Sequence, residues 1–226
     1  MTTTHFQTGE FAESLEALHK NGFCVISELI SSSKMPELSA AYDRAVARAC
    51  AEDTHKGRSS TRVERILDTD PVFRSLFKGE ILLAAARHVI GGPFKLSCFH
   101  TRSLHPHCEI GEFHIDFRDD EQPFPLLSFI YMIDEFNETN GATRFVAGSQ
   151  HRDDRPESLR QEEYVAQSIP ACARAGSVII FDGRVFHAHG ANSTSHERRS
   201  LQGSFIPAAE TSAMEFDIPI FDLTCT

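Results

Sequence analysis

A chain of 226 residues with an apolar fraction of 41% is long enough to bury a core without disulfide or metal staples. Its net charge of -10, with no basic patch interleaved with aromatics, argues against nucleic acid or an anionic membrane surface as a partner. No apolar run approaches the ~20 residues of a membrane span, and Met1-Thr2-Thr3-Thr4-His5 lacks the order of a signal peptide.

These features predict a cytoplasmic protein of one domain over 1–226, a monomer or homodimer. The six cysteines, at 24, 50, 98, 108, 172 and 225, form no Cys-x-x-Cys pair and read as reduced thiols.

In chain order, residues 8–20 show helical spacing, with Thr8 placed to cap and Phe11, Leu15 and Leu18 on one face. Asn21-Gly22 ends that helix, and Phe23-Cys24-Val25-Ile26 follows as a short buried strand. A second helix is predicted from near Ser31-Ser32-Ser33 to Ala49, then a polar loop over 51–60 and a strand over 61–67. Asp70-Pro71 is a turn or helix start, and a helix over roughly 79–90 stops at Gly91-Gly92-Pro93. From residue 94 the character changes: segments 94–104, 125–133, 145–146, 176–181 and 201–206 all read as strands between Gly, Pro, Asn and Asp turns. A helical lead-in over about 8–92 followed by many short strands over about 94–207 predicts a mainly β fold, with helices packed outside a jelly roll.

The chemistry gathers around Phe113-His114-Ile115-Asp116-Phe117. On a strand, His114 and Asp116 would point to one side and the three apolar residues to the other. A bare His-x-Asp is short and common, and by itself is better explained by a buried hydrogen bond without metal. A third ligand is offered by Val185-Phe186-His187-Ala188-His189-Gly190, and two histidines with one carboxylate form the ligand set of a non-haem iron(II) site. Spacing alone does not separate His187 from His189, nor exclude His100, His105 and His107. Downstream, Arg198-Arg199-Ser200 opens a strand on which Arg198 and Ser200 share a face, and a guanidinium matches a carboxylate with two parallel hydrogen bonds.

Together these segments resemble the phytanoyl-CoA dioxygenase family of iron(II)/2-oxoglutarate-dependent oxygenases. The resemblance rests on five segments in order: His114-Ile115-Asp116, Asn140-Gly141-Ala142-Thr143, Ala147-Gly148-Ser149-Gln150-His151, Gly176–Phe181 and His187-Ala188-His189-Gly190-Ala191-Asn192. Asn21-Gly22-Phe23-Cys24-Val25-Ile26 also resembles the family's opening strand. Two departures fall in one loop, where Ala147 replaces proline and Gln150 is inserted before His151.

The resemblance implies a double-stranded β-helix, a cupin-like jelly roll. It implies iron(II) on His114, Asp116 and His187, with His189 beside the site. The far carboxylate of 2-oxoglutarate would lie on Arg198 and Ser200, helped by the Thr143 hydroxyl, and O2 would take the last position, with ascorbate an activator in vitro. The implied reaction is hydroxylation of an unactivated carbon of a small molecule, with release of succinate and carbon dioxide. Desaturation, epimerisation and ring closure share that cofactor chemistry. A metal-dependent hydrolase or a silent binding protein are the rivals of another class, although His196-Glu197 is not followed by the second histidine of a His-Glu-x-x-His helix. Arg102, Phe117, Arg118, Tyr131 and the loops 51–60 and 151–166 are candidate substrate contacts.

Overall fold

The computed structural model describes residues 8–117, 124–153, 160–211 and 218–219. The expected roles of the Thr8 and Phe11 side chains, and the Arg118 contact, lie outside the described residues.

Helix α1 (Thr8–Asn21) ends where Gly22 takes φ 81°. A β-carbon there would also strike the Gln150 side chain at 2.4 Å, so glycine is required twice over. Strand β1 (Phe23–Ile26) follows. Helix α2 (Met35–Arg48) starts later than its serines suggested: Pro36 supplies the preset first-turn geometry, while Ser31 and Ser33 bond each other at 3.0 Å. The expected loop contains β2 (Thr54–Lys56), an edge strand whose mostly exposed residues leave no apolar signature. Strand β3 (Ser60–Val63) stops short of Leu67 because Arg65 adopts φ 56°. Asp70 caps α3 (Pro71–Ser75) by accepting from Val72 N–H at 3.1 Å, and α4 (Glu80–Ile90) ends at left-handed Gly91.

The β region comprises β4 (Phe94–Leu104), β5 (Leu127–Met132), β6 (Thr143–Phe145), β7 (Ile169–Pro170), β8 (Val178–Asp182), β9 (His187–His189), β10 (Arg198–Pro207) and β11 (Ile218–Pro219). A fifth helix, α5 (Gln161–Gln167), lies inside the stretch expected to be loop. Only its Tyr164 is buried, too little to leave a helical apolar stripe.

The larger antiparallel sheet runs β1-β8-β5-β10-β4-β3-β2, with β11 on β4, and the smaller runs β7-β6-β9. Register sorts every residue of the larger sheet onto one of two faces. The row Val63, Thr101, Leu201, Tyr131 and Val178 faces the helices. There Phe77 meets Phe99, Phe129 and Phe205 edge-on, inside a cluster that also takes in Leu38, Tyr42 and Leu82. Each such ring contributes roughly 1.5–3 kcal/mol on burial. The opposite row Arg62, Arg102, Ser200 and Met132 faces the smaller sheet. Ile130, Met132, Ile179 and Phe181 of that inner face pack with Phe145 and Ala142. The fold is thus helices, a large antiparallel sheet, and a small sheet that closes over part of the inner face.

Candidate metal and co-substrate site

His114, Asp116 and His187 come together between the sheets. Their ligand atoms all lie within 4.8 Å of one another, and among the described residues no other such group occurs. The expected strand over 113–117 is not what brings the first two together. Only His114 pairs, in an isolated antiparallel bridge with His187 closed by two hydrogen bonds of 3.0 Å. That bridge sets the two rings 4.4 Å apart. The chain then bends, and Asp116 is fixed separately, its N–H donating to Gly183 carbonyl at 2.8 Å. The sheets thus aim the two side chains through two anchors rather than through strand pleat.

The hydrogen atoms of both rings are assigned by their neighbours. His114 Nδ1 lies 2.9 Å from Glu112 carbonyl, and His187 Nδ1 lies 2.9 Å from Val185 carbonyl. A carbonyl only accepts, so each Nδ1 carries hydrogen and each ring turns its Nε2 to the centre. His187 Nε2 sits 3.5 Å from Asp116 Oδ1, while Asp116 Oδ2 accepts from Ser128 of β5. Crowding by protein pushes the His114 imidazole down to about 4, aided by His187, so it is neutral at pH 7 even though its edge reaches solvent. Burial pushes the Asp116 carboxyl up, but the imidazoles, led by His187, and the Ser128 hydroxyl outweigh it and hold the group at about 2. A carboxylate beside two imidazole Nε2 atoms is a donor set that a divalent metal takes up.

Arg198 and Arg199 are neighbours with opposite fates. Arg199 turns to the helix face, where Asp134 takes it through contacts of 2.8 and 3.1 Å and Asp43 at 2.7 Å. Arg198 turns inward, is 2% exposed, and lies 3.8 Å above the Phe136 ring. Its Nε and one terminal nitrogen are buried with no partner. Burial, then repulsion from Arg102, pushes its guanidinium down to about 9. Leaving a buried charged donor unmatched costs several kcal/mol, on the order of 2–5, and these nitrogens have the geometry to donate to an anion. Ser200 stands two residues on along the same face, fully buried, its hydroxyl donating to Arg102 carbonyl at 3.3 Å. Thr143 is buried on β6, directly opposite His189 of β9.

His189 stays outside the ligand cluster, its Nδ1 on Gly190 carbonyl at 3.0 Å and its ring against Gly111. Burial, then Arg102 and Arg198, push its imidazole down. The other nearby histidines are placed elsewhere. His105 bonds Thr61 at 2.9 Å, while His100 lies buried on the inner face of β4 and is pushed down to about 3 by burial, then by Arg62 and Arg102. The turn segments serve as supports. Ser149 Oγ accepts from Phe186 N–H at 2.7 Å just ahead of His187, and Gln150 ties that loop to α1 through His19 carbonyl at 2.9 Å. Gln150 thus has a structural task.

Of the suggested substrate contacts, Arg102 is on the inner face. Tyr131 is not: it faces the helices and donates to Leu76 carbonyl at 2.9 Å. Phe117 is buried against Phe124, Leu126 and Ile206. Sequence reasoning missed Ser128 and Arg62, since neither lies in a recognisable motif and only the register through Arg102 links Arg62 to Ser200.

The phytanoyl-CoA dioxygenase model matches residues 18–200. The chain belongs to the phytanoyl-CoA dioxygenase family. This family member is similar to "Dioxygenase trt7" of Aspergillus terreus, 26% identical over 88% of this chain and 74% of that protein. "Dioxygenase sphC" of Aspergillus fumigatus is 30% identical over 69% of this chain and 42% of that protein. Among solved structures, the epimerase SnoN, in complex with Fe3+, alpha ketoglutarate and nogalamycin RO, aligns with a TM-score of 0.75 at 17% identity, covering 92% of this chain and 89% of SnoN. Family membership and the His–Asp–His cluster make the chain an iron(II)/2-oxoglutarate-dependent oxygenase. No described helix is long and apolar enough to cross a membrane.

Proposed function

We propose that this family member hydroxylates an unactivated C–H bond of a small organic molecule, with His114, Asp116 and His187 as the iron ligands. The reading takes the two sheets as the halves of a double-stranded β-helix and the chain as one domain. Two Nε2 donors and one carboxylate oxygen would hold a divalent iron through three ligands. When bound, iron(II) and 2-oxoglutarate would let O2 oxidise an unactivated carbon, one oxygen atom going to succinate, the other to the product hydroxyl, with carbon dioxide released.

The remaining work falls to the chain. Arg198 would receive the far carboxylate of 2-oxoglutarate, with the Ser200 and Thr143 hydroxyls alongside. Ser128 would hold the Asp116 carboxylate in place, since a ligand's own hydrogen-bond partner tunes both its orientation and its basicity. Phe145 and Phe181, whose rings lie 5.8 and 4.8 Å from His187, would keep water from the metal's inner side.

The observation that carries the reading is the buried Arg198 guanidinium, with two nitrogens left without a hydrogen-bond partner, on the face that also bears Ser128. The test is succinate release with iron(II), ascorbate and 2-oxoglutarate across a library of amino acids, acyl derivatives and natural-product scaffolds, followed by mass spectrometry under labelled O2 with chloride present. One labelled oxygen in the product supports hydroxylation. Loss of two hydrogens without label moves the assignment to desaturation or cyclisation. A chlorinated product would overturn the role of Asp116, whose carboxylate fills the position chloride would need.

A further inference from the structure

Beyond Arg198, the inner face carries a second cationic seat. Arg62 of β3 and Arg102 of β4 are direct cross-strand partners, so both side chains leave the sheet on the face of Ser200 and Ser128. Like charges placed directly opposite repel. Arg62 Nε is buried without a partner, and its Nη2 meets Glu64 at 2.7 Å. The contact described for Arg102 is a long one, 3.4 Å to Gln202 Oε1. Burial, then Arg62, pushes the Arg102 guanidinium down, and His100 beside them stays neutral and adds no charge. Arg102 also lies within electrostatic reach of Asp116.

Resting on the function proposed above, the charges can be balanced. Three guanidiniums and a divalent metal would face Glu64, Asp116 and the two carboxylates of 2-oxoglutarate, which leaves one positive charge uncompensated. Arg62 stands two strands from the strand of Arg198, roughly 10 Å at ordinary strand spacing. Arg62 thus starts further toward the sheet edge than Arg198, and its orphan Nε offers a separate anion a donor of its own. We propose that Arg62 and Arg102 form the substrate's anion seat, and that the substrate is an organic acid whose carboxylate binds this pair while its reacting carbon faces His114 and Asp116.

The test uses the full chain loaded with redox-silent nickel(II) and saturating 2-oxoglutarate. Binding is measured by ligand-observed NMR for aromatic, alicyclic and aliphatic carboxylic acids, each paired with its primary amide. The hits should be acids, each bound about tenfold or more tighter than its amide. Arg62→Gln and Arg102→Gln should each weaken those acids about tenfold or more while leaving 2-oxoglutarate affinity within about threefold, and Arg198→Gln should show the reverse pattern. Unchanged 2-oxoglutarate binding also reports that the variants fold. Hits without acids, an empty hit set, or an Arg102→Gln protein that loses 2-oxoglutarate rather than acids would overturn the proposal. Failure of the underlying function would be seen earlier and separately, as absence of nickel or 2-oxoglutarate binding before any acid is added.

Discussion

The two faces of the large sheet come from the same strands and answer to different demands. On the helix face, Phe99, Phe129, Leu201 and Phe205 close a continuous apolar core, and its arginine, Arg199, is matched by Asp134 and Asp43. One residue away, on the inner face, Arg198 is more deeply buried and lacks those matches. The charge is satisfied on one side, and donors are left open on the other. Stability is concentrated on the helix side, and unpaired polar capacity on the side where chemistry is read.

That contrast can be broken by substitution. Phe129→Ala, in the middle of the helix-face core, should cost roughly 3–5 kcal/mol of unfolding free energy by denaturant titration. A loss below about 1 kcal/mol would mean the core does not depend on this face. Arg198→Ala should weaken 2-oxoglutarate binding by about 2–5 kcal/mol in calorimetry of the metal-loaded protein, with little loss of melting temperature. Arg199→Ala should do the opposite, lowering the melting temperature and sparing 2-oxoglutarate. Equal effects of the two on binding would erase the distinction between the faces.

A smaller effect is expected from Ser128→Ala, which frees Asp116 from its hydroxyl donor. Metal affinity should fall about 10- to 100-fold in a competition titration with a chelator, with the fold intact. The least is expected from acid. His100 is held at about 3 against an ordinary 6.5, so below about pH 6.5 the unfolded chain takes up a proton that the folded chain refuses. Stability from this group is complete above that pH and is lost as pH falls toward 3. His100→Gln should therefore flatten part of the fall in melting temperature between pH 7 and pH 5, and an unchanged slope would show that His100 is not held neutral.

Much of this was legible in the sequence, for stated reasons. The helices with clear stops, α1 and α4, and the apolar strands β1, β4, β5 and β8 announce themselves because burial imposes a period or a run. Edge strand β2 and helix α5 do not, since hardly anything on them is buried. Asp116 and His114 were found by type but for the wrong local reason, because the bridge to His187 is a tertiary contact that no local pattern encodes. Tyr131 is a candidate substrate contact by sequence because an aromatic in a buried strand carries no label for its face; only the register with Leu201 and Val178 reveals it. Arg198 over Arg199 was correctly separated as to face, since strand alternation from Ser200 sufficed.

The central claim is the ligand set, and an anaerobic iron(II) titration tests it most directly. The unaltered chain should bind one iron and then develop a weak visible charge-transfer band on addition of 2-oxoglutarate. His187→Ala should lose both signals. His189→Ala, whose ring rests against Gly111 outside the cluster, should keep them. Loss of iron in His189→Ala together with normal binding in His187→Ala would contradict the assignment.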